Sequence, residues 1–144
     1  MTELTLEVRR TVAAPPARVF AAWTDPALLV RWWGPPGVAC PEAHVDLRVG
    51  GAWSIANDTP GGTVWLRGTF EVIEAPERLV YTWSVDGSPA AAERVTVRFE
   101  PVGTSTEVVV VHEKIVGEAT KAEHAVGWGG CLSGLERLLG GTGL

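Results

Sequence analysis

Two histidines and one arginine are the side chains of this sequence best placed to do acid–base chemistry in apolar surroundings. In the segment 106–113, Val108 and Val110 share a predicted strand face with His112. His124 belongs to a helical pattern further along the chain, and Arg10 interrupts the apolar face of the first predicted strand. Together these groups could orient a carboxylate or carbonyl and transfer a proton. They could equally be satisfied within a core by backbone, tryptophan and carboxylate partners, so the sequence leaves both interpretations open.

The remaining polar residues give no pattern of a metal or cofactor site. Glu42, His44 and Asp46 alternate on one strand face, but no second cluster completes a ligand set, and solvated surface charge explains them. Cys40 and Cys131 lack metal-ligand spacing and a neighbouring histidine. We expect no metal, no cofactor and two free thiols, with Cys131 behaving as a small hydrophobic residue.

Seven tryptophans supply most of the aromatic surface of the chain. They could fill a large core or form the wall of a ligand cavity, because an indole combines a wide apolar face with one N–H donor. An empty apolar cavity of ~300 Å³ would cost on the order of 7 kcal/mol, so such a space is either filled by side chains or occupied by a ligand. The residues that we predict to line it are Arg10, Trp32, Trp33, Trp53, Phe70, Trp83, Val97, Val110, His112, His124, Trp128, Cys131 and Leu135.

The hydropathy pattern predicts an α+β fold. Period-two alternation indicates strands at 4–12, 43–48, 52–57, 64–73, 78–85, 93–100 and 106–113, and the short turns between the last six favour an antiparallel meander. Two short helices, at 17–23 and 27–33, follow the first strand. A long C-terminal helix covers 118–139 and carries an apolar face.

Glycines weaken this long helix. Gly127, Gly129, Gly130 and Gly134 together cost roughly 3–4 kcal/mol of helix propensity, so tertiary packing must stabilise it. Gly127 and Gly134 flank the apolar face, where a missing side chain leaves room for a close neighbour or for a ligand.

Length and charge narrow the possible functions. The 144 residues fit one domain spanning 1–144, and the net charge of −5 argues against nucleic-acid binding. No apolar run approaches the ~18–20 residues of a membrane span. The acidic, alternating N-terminus is unlike a signal peptide, so we expect a cytoplasmic location.

Seven stretches of the chain resemble the SRPBCC, or START-like, superfamily. They are 14–20 (APPARVF), 22–26 (AWTDP), 31–35 (RWWGP), 46–53 (DLRVGGAW), 67–70 (RGTF), 76–83 (PERLVYTW) and 124–128 (HAVGW). Their order is similar to that of the branch named after the C-terminal domain of the activator of heat-shock-protein-90 ATPase. The resemblance implies a helix-grip fold, in which a curved antiparallel sheet of about six or seven strands wraps around a long C-terminal helix.

The resemblance implies three kinds of function, since the superfamily includes ligand carriers, cyclase-like enzymes and co-chaperone domains without a common catalytic motif. We expect first a protein that binds a small hydrophobic or aromatic molecule between the sheet and the C-terminal helix. A cyclase or hydratase that uses His112 and His124 is one alternative. The other is an interaction module that forms a homodimer or binds a chaperone, although the co-chaperone activator carries a further N-terminal domain for which 144 residues leave no room.

Overall fold

Seven strands form one curved antiparallel sheet in the computed structural model, which describes residues 2–34, 37–86 and 91–139. The strands are β1 (Glu3–Val12), β2 (Ala39–Val45), β3 (Ala52–Thr59), β4 (Gly62–Glu74), β5 (Arg78–Val85), β6 (Glu93–Val102) and β7 (Ser105–Val116). Their order across the sheet is β1-β7-β6-β5-β4-β3-β2. Strands β2 to β7 form a meander, as the short turns predict, and β1 pairs with β7.

Three helices complete the fold: α1 (Pro16–Thr24), α2 (Pro26–Trp32) and α3 (Glu118–Leu138). Helices α1 and α2 lead the chain from β1 at one edge of the sheet to β2 at the other. The Asp25 carboxylate caps α2 by accepting a hydrogen bond of 2.9 Å from the backbone N–H of Ala27. This architecture confirms the predicted α+β helix-grip fold.

Strand β2 begins earlier and ends earlier than the sequence predicts. It covers Ala39–Val45 rather than 43–48, and its pairing with β3 is irregular between Ala39 and Glu42. The strand extends through position 41, because an edge strand tolerates a proline, which has no N–H donor. Asp46 and Arg48 therefore belong to the turn after β2, where they form an ion pair of 2.8 Å.

Helix α3 buries its apolar face against β1, β7 and α2. Trp128, Cys131, Leu132 and Leu135 are buried on this face. Gly134 meets α2 directly: a Cβ atom there would lie 2.3 Å from the carbonyl oxygen of Trp32. A neighbouring helix thus takes the space at this glycine. No helix among the described residues is long and apolar enough to cross a lipid bilayer.

Arg10 fastens β1 to the far half of α3. Its guanidinium donates hydrogen bonds to the Glu136 carboxylate at 2.5 Å and to the Ser133 hydroxyl at 3.0 Å. Arg10 thus has a carboxylate partner, as expected of a residue with a structural role. It contacts the C-terminal half of α3, whereas His124 belongs to the N-terminal half.

Candidate functional site

A buried carboxylate, Glu93, joins the two histidines at one end of the sheet. Glu93 is the first residue of β6 and is only 9% exposed, because it shares the inward face of that strand with Val95 and Val97. Its Oε1 atom lies 2.6 Å from Nε2 of His112 on β7 and 2.9 Å from Nε2 of His124 on α3. The two imidazole rings stack, with their centroids 4.5 Å apart. Side chains from three consecutive elements therefore meet at one oxygen atom.

One tryptophan determines which way the hydrogen bonds of this cluster run. The indole N–H of Trp128 donates to Nδ1 of His112 at 3.0 Å, and an indole nitrogen is a donor only. Because Nδ1 accepts, the hydrogen of the neutral ring is on Nε2, which donates it to Glu93. The carboxylate accepts from His124 in the same way. In its neutral form, His124 is then left with a lone pair on Nδ1.

Burial and hydrogen bonding set the protonation states of the inner pair. Burial lowers the pKa of His112 below its ordinary 6.5, although the hydrogen bond to Glu93 opposes this, so the ring stays neutral. Burial alone would raise the pKa of Glu93, but hydrogen bonds from His112 and His124 outweigh that effect and lower it to about 2. The inner pair thus holds one negative charge, on Glu93, beside a neutral His112.

Trp83 borders this cluster with an unsatisfied donor. It lies opposite Glu93 in the pairing of β5 with β6, and its ring meets His112 and His124 edge to face, with centroids 5.0 and 4.8 Å apart. Five other indoles donate hydrogen bonds within the protein, whereas the buried N–H of Trp83 has no partner among the described residues. A buried donor without a partner costs about 1–3 kcal/mol and is rare in native proteins, so it needs an explanation.

A hollow of about 240 Å³ opens between α3 and the strands β3, β4 and β5. Three indoles and His124 are among the residues of its wall. The residues that line it are Trp33, Asn57, Thr59, Val64, Leu66, Trp83, Val85, Glu123, His124, Gly127, Trp128 and Cys131. Asn57 accepts a hydrogen bond of 3.0 Å from the Trp33 N–H, which holds one of these indoles in place.

Two other spaces adjoin this hollow. On the far side of Trp83 and His124 lies a more polar one of about 340 Å³, which Glu3, Glu93 and Lys114 border. Deeper in the core is a space of about 20 Å³, room for one water molecule, lined among others by Trp53, Phe70 and Tyr81. Side chains therefore fill most of the core, and the two larger spaces lie beside Trp83 and His124.

The structure divides the predicted lining residues into five groups. Trp33, Trp83, His124, Trp128 and Cys131 border the hollow, and Trp53 and Phe70 border the small inner space. His112 lies behind the wall, fully buried. Arg10 lies on β1 against the C-terminal half of α3. The others are in the packed core: Trp32, Val97, Val110 and Leu135.

Sequence reasoning missed Glu93, the residue at the centre of the cluster. The signal was present, because Glu93, Val95, Val97 and Phe99 alternate along one strand, and an acidic residue opening an apolar face is unusual. Arg10 and His112 show the same pattern, a polar residue on the apolar face of a strand.

The hydrogen bonding of the cluster disfavours a metal ion. The ligand atoms of Glu93, His112 and His124 lie within 4.8 Å of one another, a spacing suited to a cation. A metal at Nε2 of His112 would move the ring hydrogen to Nδ1, where it would face the donor N–H of Trp128. A metal-binding histidine needs an acceptor at that position. The expectation of no metal stays a prediction.

Fold and site together define a helix-grip protein whose long helix and sheet enclose an indole-lined hollow at one end. The family called Activator of Hsp90 ATPase homolog 1-like protein matches residues 13–140, and the chain belongs to it. The family resemblance seen in the sequence is thereby confirmed.

Solved structures with similar folds come from several bacteria. A Chromobacterium violaceum protein is 28% identical, with a TM-score of 0.85 over 94% of this chain and 96% of that one. A Rhodobacter sphaeroides protein is 30% identical, with a TM-score of 0.82 over 95% and 93%. The AHSA1 protein of Silicibacter pomeroyi is 25% identical, with a TM-score of 0.82 over 93% and 96%. The search of curated proteins finds no significant match.

Proposed function

We propose that the protein binds a small aromatic molecule in the hollow between α3 and strands β3, β4 and β5. The observation that carries this proposal is the wall formed by Trp33, Trp83 and Trp128 around about 240 Å³. Indole faces pack favourably against another aromatic ring, and each such pair adds about 0.5–1.5 kcal/mol beyond the area that it buries.

The size of the hollow limits its ligand to one or two rings. An apolar cavity of ~150 Å³ accommodates benzene, while drug-sized ligands use ~300–1,000 Å³. A hollow of about 240 Å³ falls between these cases. Its polar side chains besides the indoles are Asn57, Thr59, Glu123 and His124, so apolar contact supplies most of the binding energy.

The test is a titration with naphthalene, followed by tryptophan fluorescence, because three of the reporting indoles are themselves part of the wall. We expect saturable binding to the wild-type protein. Val64→Phe adds a ring to the lining of the hollow and should weaken binding by at least tenfold.

The matched control is Val72→Phe. Val72 lies on the same strand as Val64, is also half-buried and lies outside the hollow. It should therefore leave naphthalene affinity unchanged. Wild-type protein without saturable binding, or an equal loss in both variants, would refute the proposal. A homodimer and a chaperone partner stay predictions of the family resemblance.

A further inference from the structure

We propose that His124 accepts a proton from a weakly acidic hydroxyl group on the aromatic molecule in the hollow, with Glu93 as its positioning residue. This inference rests on the proposed function and adds the substrate class, a phenol. It assigns different tasks to the two histidines, of which only His124 borders the hollow.

The directions of the hydrogen bonds make Nδ1 of His124 the proton acceptor. Its Nε2 atom is engaged with Glu93 at 2.9 Å, and that carboxylate has no proton to offer. No hydrogen bond occupies Nδ1 among the residues that the structure describes. A carboxylate bound to one imidazole nitrogen of a histidine that borders a ligand site, with the other nitrogen free to accept, is the arrangement that makes a histidine a general base.

His112 cannot accept a proton from the ligand. Trp128 occupies its Nδ1 and Glu93 its Nε2, and the ring is fully buried, so it has no atom to offer a ligand. Its donor nevertheless fixes the Glu93 oxygen that also faces His124. Trp128 and His112 thus determine the orientation of the Glu93 carboxylate. The carboxylate in turn determines the orientation of His124.

Charges on every neighbouring element bear on this proton transfer. Glu93 on β6 is the acidic group in direct contact with His124, and the neutral His112 on β7 stacks on it. Further out, Glu123 of α3 lines the same hollow, and Glu3 of β1 and Lys114 of β7 border the adjoining one. The nearest charged group is therefore the Glu93 carboxylate, in direct contact with Nε2 of His124.

The step balances with no further reactant. The ligand O–H bond breaks, its proton forms a bond to Nδ1 of His124, and its electron pair stays on the oxygen as a phenolate. The resulting imidazolium keeps its Nε2–H on the Glu93 carboxylate, and the proton returns when the phenol leaves.

The probe for this step is 4-nitrophenol, whose phenolate is yellow and whose neutral form is not. At one pH unit below its solution pKa, about a tenth of the free dye is ionised, because each unit is tenfold in the equilibrium. We expect more than half of the bound dye to absorb as phenolate in the wild-type protein. Binding itself is measured separately by quenching of tryptophan fluorescence.

Two variants and one control decide the outcome. In His124→Gln, bound dye should return to about the ionised fraction of free dye, and Glu93→Gln, which removes the charge but keeps an oxygen acceptor, should lower that fraction several-fold. His44→Gln removes an exposed histidine that is also paired with a glutamate, and it should change nothing.

The two proposals fail in different ways. Dye that quenches fluorescence saturably but stays neutral would overturn the role of His124 and leave the binding function standing. A bound phenolate fraction that persists in both His124→Gln and Glu93→Gln would also overturn it. Absence of saturable quenching by either 4-nitrophenol or naphthalene would refute the binding function itself.

Discussion

At the scale of single residues, the site depends on a chain of donors that begins at Trp128. The indole N–H makes Nδ1 of His112 an acceptor, which in turn makes Nε2 the donor to Glu93. Burial keeps His112 neutral, and its Nε2 hydrogen has a partner only while Glu93 accepts it. The stability of the fold and the protonation of the site are therefore linked.

This linkage predicts that acid destabilises the protein in two stages. The pKa of His112 is lowered from 6.5, and that of Glu93 is lowered from 4.5 to about 2. As the pH falls below these ordinary values, the unfolded chain therefore binds protons at both groups more readily than the native state does. The free energy of unfolding should fall from pH 6.5 downward, and again between pH 4.5 and about 2. Urea denaturation across this pH range measures it.

His112→Gln tests the first of the two stages. Glutamine keeps a donor toward Glu93 but cannot take up a proton, so the loss of stability that begins at pH 6.5 should be shallower than in the wild type. His44→Gln, at the exposed pair on β2, is the surface control for the loss of a histidine. A slope in His112→Gln as steep as that of the wild type would contradict a neutral buried His112.

At the scale of elements, α3 shows that its glycines have separate roles. Gly134 is pressed against the Trp32 carbonyl of α2, whereas a Cβ atom at Gly129 would meet nothing within 4 Å. One glycine is required by close helix packing. The other only weakens the helix.

This contrast gives a matched pair of substitutions on one helix. Gly134→Ala should destabilise the protein by about 1–3 kcal/mol, because backbone must move to admit the methyl group. Gly129→Ala should stabilise it by about 0.8–1 kcal/mol through helix propensity. Chemical denaturation of both variants checks this, and equal effects in the same direction would show that α2 does not pack here as described.

At the scale of the whole molecule, the strand order assembles the site. Strands β5, β6 and β7 are neighbours in the sheet, and α3 follows β7 directly, so Trp83, Glu93, His112 and His124 meet at one end of the molecule. The hollow lies next to these four residues, between α3 and strands β3, β4 and β5. A ligand bound there contacts elements from both halves of the chain and stabilises the native state as a whole.

Ligand binding should therefore raise the thermal stability of the whole domain. Naphthalene at a hundred times its dissociation constant adds about 2.7 kcal/mol to the free energy of unfolding, and the melting temperature rises accordingly. Calorimetry of the wild-type protein and of Val64→Phe at the same ligand concentration measures the difference. A melting temperature that rises equally in both would place the ligand outside the hollow.

The sequence by itself determined the elements and the faces that they bury. Alternation predicted β5 to the residue and placed His112 on an inward face, and the helical period placed His124 and Trp128 on the buried side of α3. These are local properties, because residues two apart on a strand or four apart on a helix share a face.

Only the tertiary structure decided which side chains meet. Glu93 lies 19 residues from His112 and 31 from His124, and their contact depends on the register of β6 with β7 and on the way α3 crosses the sheet. The same long-range packing put Trp32 in the core and Trp33, its neighbour in sequence, on the wall of the hollow. No local period encodes such a choice, since pairing register and helix placement result from the packing of the entire core.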